Sequence, residues 1–249
     1  MKKNKIKDTG LEVTELSFGT SSLGSMPDTY GYEVPEQRAQ ETLKRFFQGP
    51  VNMLDTSRNY AMGESEKRIG IAIKENGGWP ENFILSTKID RNMDTLVLDK
   101  IRTRESIEES LKTLNVDSVD ILFLHDPEYV KDLNEVTKKN GALDELFKIK
   151  EEGLAKAVGL AMGKINIMFP ILKNWDFDVI INHNRYTLLN READEMYSYA
   201  HSKNISIFNA APYAGGVLAK GPSNFKKITY QDVSEEKLAP AREIEKVCK

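Results

Sequence analysis

Cysteine is nearly missing from this sequence: Cys248 stands alone among 249 residues. No intrachain disulfide can form, and a cysteine metal cluster is excluded. Histidine is almost as scarce, with three in the chain, and no metal site is expected. An excess of charge of one sign is lacking too. Lys and Arg total 35 against 38 Asp and Glu, a formal net charge of −3. That balance offers no broad electrostatic footprint for nucleic acid or an anionic membrane. No apolar run approaches the roughly 18 residues of a membrane span. The charged segment 1–8 is not followed by the apolar stretch of a signal peptide. The expectation is a cytoplasmic protein that meets neither nucleic acid nor membrane.

What is present is an ordinary globular profile, 40% hydrophobic and 29% charged. Nothing resembles a linker, a repeat or a low-complexity tract, so residues 1–249 are read as one domain. Short apolar runs alternate with longer amphipathic ones. Residues 4–7 and 11–14 flank the turn-prone Asp8-Thr9-Gly10 and predict a hairpin. Strands are predicted at 16–20, 52–56, 83–88, 119–125, 156–161, 178–183 and 205–210. Helices are predicted at 36–47, 64–76, 103–114, 141–152, 165–174, 192–203 and 234–249. The runs 121–124 and 179–181 are apolar on both faces, which suits parallel strands covered by helices.

Strand–helix alternation predicts a parallel α/β fold. It leaves a closed barrel and an open doubly wound sheet both standing. The glycine fingerprint of a dinucleotide fold is missing around Gly19 and Gly24, which favours the barrel. A (β/α)8 TIM barrel needs eight strands, and this pattern supplies seven. The barrel is therefore expected to be incomplete, with an N-terminal β-hairpin and no eighth βα unit.

Barrel chemistry sits at the carboxyl ends of strands and in the loops beyond them. Asp55, Lys88 and His125 end three successive predicted strands, and Tyr60 follows Asp55 by five residues. Each alone reads as a satisfied structural group, but four at equivalent places read as a site. Unpaired charges there are costly. A phenol ordinarily titrates near 10, and a neighbouring ammonium is expected to lower that value. Asp, Lys, Tyr and His together suit proton transfer to a carbonyl oxygen while a hydride arrives from elsewhere. No side chain supplies hydride, so a nicotinamide cofactor, NADP(H) or NAD(H), is required.

These residues sit in stretches that resemble the aldo-keto reductase superfamily. The matching stretches include 53–60, Gly63-Glu64-Ser65-Glu66, Ser86-Thr87-Lys88, Leu124-His125-Asp126-Pro127, 186–191 and Ala211-Pro212-Tyr213. The likeness spans nearly the whole chain and leans towards the aldose, fucose and pyridoxal dehydrogenases. It implies an enzyme that interconverts a carbonyl or sugar substrate and an alcohol. It implies Tyr60 as general acid/base, Asp55 and Lys88 as its tuning pair and His125 as substrate orienter. It implies cofactor contacts from Thr20, Ser21, Asp55, His183, Ala211, Pro212 and Tyr213.

Departures accompany the match. Where many members hold the nicotinamide amide with Ser-Asn and Gln, this chain has Ala161-Met162 and His183. Ala210 stands where the family often places an aromatic. Lys220, Lys226 and Lys227 are read as solvated loop charges. The region that grips the adenosine phosphate in the family has no counterpart in 214–249. Two alternatives follow: a non-catalytic cofactor-binding or regulatory protein, or a truncated inactive reductase. An oligomer is allowed by either.

Overall fold

A computed structural model describes residues 1–229 and 231–248. A hairpin opens it: β1 (Lys3–Lys5) pairs antiparallel with β2 (Glu12–Thr14). The first sheet strand, β3 (Phe18–Gly19), is followed by the short α1 (Pro27–Tyr30) and then α2 (Glu36–Phe47). Strand–helix units then succeed one another. They are β4 (Met53–Asp55) with α3 (Glu64–Glu75), β5 (Ile84–Ile89) with α4 (Lys100–Leu114), and β6 (Val119–His125) with α5 (Leu133–Thr137) and α6 (Ala142–Glu151). After these come β7 (Ala155–Met162) with α7 (Ile165–Asn174), and β8 (Val179–His183) with α8 (Asp194–Ser202). The strand β9 (Ser206–Ala210) leads into α9 (Val217–Lys220), a second hairpin, β10 (Lys227–Ile228) with β11 (Gln231–Asp232), and α10 (Glu235–Cys248).

The seven strands β3 to β9 form one all-parallel sheet in sequence order. It curls as an incomplete (β/α)8 barrel, with β3 and β9 as its two edges among the described residues. The connections are parallel crossovers, so helices cover the outer face and both faces of each central strand are dry. All six residues of β5 are buried, as are the first six of β6.

Helix formation follows the predicted spacing. In α2, Ala39, Leu43 and Phe46 recur on one face and are the buried residues. The helix α4 begins three residues before its predicted start because Asp99 caps it, its Oδ1 accepting from Arg102 N at 2.8 Å. The outward strand faces and the helices share a large apolar layer that includes Leu54, Leu85, Leu122, Leu160 and Ile180. A carboxyl is sealed into it. Glu66, in the first turn of α3, is fully buried and accepts from Thr87 Oγ1 at 2.6 Å.

The inward faces form a second cluster, in which Met53, Ile121, Phe123, Val179 and Ile181 meet Ile6, Leu11 and Val13 of the first hairpin. That hairpin floors the curled sheet and is tied to both sides of it. Asn52 Oδ1 accepts from Thr14 N at 2.8 Å, and Ser206 Oγ accepts from Lys7 N at 3.1 Å. The segment after β9 packs as a satellite, with Ala214, Val217, Leu238 and Ala241 at its centre. Within it Lys226 pairs with Glu235 at 2.8 Å, at the surface. No helix among the described residues is long and apolar enough to cross a membrane.

Candidate active site

The carboxyl ends of the strands surround a cavity of about 450 Å³. Asp55, the last residue of β4, lies opposite Ser86 in the parallel register. Ser86 Oγ donates to Asp55 Oδ1 at 2.9 Å. Lys88 is inward on β5 and 2% exposed. Its Nζ donates to Asp55 Oδ2 at 2.7 Å and to Thr56 O at 2.6 Å. The Tyr60 phenol lies beside the ammonium and interacts with it electrostatically. A carboxylate and a carbonyl at hydrogen-bond distance compensate the buried charge.

Tyr60 is carried by a tight segment beyond β4. Its N–H donates to Ser57 O at 3.1 Å. The next two residues, Ala61 and Met62, have φ of 51° and 56°. Two successive non-glycine residues in the left-handed region are strained, a feature that concentrates at functional sites. Gly24 makes room for this turn: a Cβ there would collide with Ala61 Cβ and stand 2.9 Å from Ser65 N. The Tyr60 ring lies 4.6 Å from Lys88 Nζ and meets the His125 ring edge-on, centroids 5.9 Å apart.

His125 ends β6. Its Nδ1 is 2.7 Å from Asp90 Oδ1 and 3.3 Å from Ser57 Oγ. Its Nε2 lies 3.7 Å from Asp126 Oδ1. Sequence reasoning missed Asp90. The signal was there: the parallel register opposes Ile89 to Leu124, so the next residues along, Asp90 and His125, meet.

Electrostatics split the groups. Burial raises the Tyr60 phenol, and Lys88 offsets only part of that rise. The expected lowering by Lys88 is thus overturned by desolvation. For Lys88, burial works against the charge, but Asp55 and Tyr60 prevail and the ammonium is raised. Burial also opposes charge on His125, yet Asp90 and Asp126 raise it above the ordinary imidazole value. His183 goes the other way, lowered by burial and by the cationic His125, Arg185 and Lys88 despite Asp126.

Thr20, Ser21, Asp55, Tyr60, Lys88, His125, His183 and Ala211 all line this one cavity. Thr20 N and Oγ1 both donate to Asp55 O at 3.0 Å. Ser21 Oγ and the Tyr30 hydroxyl hydrogen-bond at the rim. Pro212 and Tyr213 are outside the lining, and Tyr213 is 60% exposed.

The site suits the nicotinamide end of a dinucleotide. Gly19, Ala161, Ala210 and Ala211 give its walls small groups that admit a flat ring. Beside His183, the buried Asn184 keeps Oδ1 without a hydrogen-bond partner among the described residues. Asn184 itself lies outside the residues that line the cavity.

The chain is similar to known proteins of one family. The model of the Aldo/keto reductase family matches residues 15–249. The L-galactose dehydrogenase of Arabidopsis thaliana is 31% identical over 238 residues, covering 94% of this chain and 72% of that protein. The D-threo-aldose 1-dehydrogenase of a Pseudomonas species is 27% identical over 253 residues, covering 91% and 74%. The solved holo form of an aldo-keto reductase from Bacillus halodurans shares the fold, with a TM-score of 0.74 at 24% identity, covering 91% of this chain and 72% of that one.

Proposed function

The chain belongs to the aldo/keto reductase family, and from that premise we propose that it interconverts a sugar-type carbonyl and its alcohol, with Tyr60 as general acid/base. The observation that carries the reading is the buried Asp55–Lys88–Tyr60 array, with His125 edge-on to Tyr60, lining one cavity. A nicotinamide cofactor, NADPH or NADH, supplies the hydride when bound. Thr20, Ser21, His183 and Ala211 are the residues placed to hold its reactive end.

The protein's own groups handle the proton. With its pKa raised, the Tyr60 phenol is neutral around pH 7 and carries the proton that a reduced carbonyl oxygen needs. Loss of that proton leaves a phenolate beside the Lys88 ammonium, which stabilises it by direct hydrogen bond and by charge. Asp55 keeps the ammonium charged and aimed. In the oxidative direction the phenolate takes the alcohol proton back. His125 meets the phenol ring edge-on and orients the substrate oxygen.

The substrate class comes from the relatives that are named for aldoses and from the polar rim, where Asn59, Arg91, Asp126 and His183 meet the cavity. Hydroxyl-rich aldehydes suit such donors and acceptors. The test is Tyr60→Phe, assayed with NADPH and NADH over a panel of aldoses. The variant should bind cofactor as the parent does and lose about 100-fold or more in turnover. Unchanged turnover would sink the assignment of Tyr60.

A further inference from the structure

Asp90 is 1% exposed and spends both carboxylate oxygens on the site. Oδ1 is 2.7 Å from His125 Nδ1. Oδ2 accepts from Ser57 Oγ and, at 3.0 Å, from Asn59 N. An ionised carboxylate only accepts hydrogen bonds, so the hydrogen between these two groups belongs to Nδ1. Burial works against charge on Asp90, yet His125, Ser57 and Lys88 hold its carboxyl below the usual range.

We propose that Asp90 is a positioning residue for the reaction: it fixes the ring of His125 with hydrogen on Nδ1 and so makes Nε2 the edge presented to the substrate oxygen. The proposal rests on the reading of Tyr60 and His125 given above. A consequence follows from the chemistry of imidazole. Neutral His125 shows a lone pair at Nε2, and protonated His125 shows an N–H there. A carbonyl oxygen accepts from that N–H beside the Tyr60 phenol, while the one hydrogen of an alcohol hydroxyl is left for the Tyr60 phenolate. The charged form of His125 therefore favours reduction.

The groups around the ring set where that change falls. Asp90 approaches beyond β5 and Asp126 beyond β6, and both favour the imidazolium. Lys88 on β5 opposes it. His183 at the end of β8 lies on the far side of Asp126, its Nε2 4.0 Å from Asp126 Oδ1. The neutral Tyr60 ring meets His125 edge-on. Asp90 is the member of this set in direct hydrogen bond with the ring.

The test is nitrogen-15 NMR of the full chain, whose three histidines make the imidazole spectrum tractable. The His125 signals are assigned by their loss in His125→Gln. In the parent, neutral His125 should be the Nδ1–H tautomer. In Asp90→Asn its titration midpoint should move to lower pH, and the alkaline limb of the kcat profile for reduction should move with it. Turnover should fall about 10- to 100-fold, as when an orienting carboxylate is lost. An Nε2–H tautomer in the parent, or the same midpoint in Asp90→Asn, overturns the proposal. The tautomer is read on the parent protein, so a poorly folding variant does not remove the test. Failure of the Tyr60 reading shows separately, as activity retained by Tyr60→Phe with the His125 spectrum unchanged.

Discussion

Glu66 should make the protein less stable as pH rises. Its carboxyl is fully buried in the helix–sheet layer, with Thr87 Oγ1 as donor at 2.6 Å. Burial pushes it from an ordinary 4.5 up to about 7, against the opposing pull of Thr87, Ser110 and Arg58. A folded-state value above the unfolded one means that the native protein binds the extra proton. The stabilisation is complete below pH 4.5 and is lost as pH rises through about 7. At ~1.4 kcal/mol per pH unit, a rise from 4.5 to about 7 amounts to about 3 kcal/mol. Glu66→Gln keeps the shape and the acceptor for Thr87 but has no proton to lose. Urea unfolding of parent and variant at matched pH, from acid to about pH 8, gives a difference curve in which other titrating groups cancel. The variant should gain on the parent by about 3 kcal/mol across that window. Parallel curves would refute both the buried charge and the reasoning from it.

Other outcomes are expected at the site itself. Lys88→Met leaves the Asp55 carboxylate facing an apolar side chain; it should abolish turnover and cost about 3 kcal/mol in urea unfolding. Gly24→Ala forces a methyl against Ala61 and Ser65 N. It should therefore lower kcat by displacing Tyr60, while circular dichroism shows the helices intact. Tyr60→Phe should retain cofactor and lose turnover, and Asp90→Asn should shift the pH profile of reduction, as set out above.

Much of this architecture is legible in the sequence. Asp55 and His125 end their strands where the apolar runs end, because an unpaired charge further in has no partner. Lys88 also lies near its strand end, and β5 continues one residue beyond it to Ile89. The strand read at 16–20 shrinks to Phe18–Gly19, since only these two residues pair with β4. The short α1, α5 and α9 were not foreseen. They span 4, 5 and 4 residues, too few for a helical period to show. The phenol of Tyr60 was expected to fall in pKa, because sequence places an ammonium nearby but cannot weigh it against desolvation. Asp90 went unseen for a related reason. A carboxylate after a buried strand looks like the first residue of a loop until the register sets it beside His125.

The floor hairpin has a consequence for how this molecule comes into being. Its contact from Lys7 to Ser206 closes a separation of 199 residues, whereas its contact from Thr14 to Asn52 closes 38. A ribosome delivers the hairpin before every strand of the sheet, and Ser206 with the last of those strands. Ile6, Leu11 and Val13 share their cluster with Met53 and Ile84 early, but with Val179 and Ile181 only after β8 has emerged. Closing so long a span adds little to the equilibrium cost, since loop entropy grows only with the logarithm of length. Its effect is on time: contacts this distant in sequence slow the final step of folding. The hairpin, made before the strands it floors, completes its contacts only after the last of them.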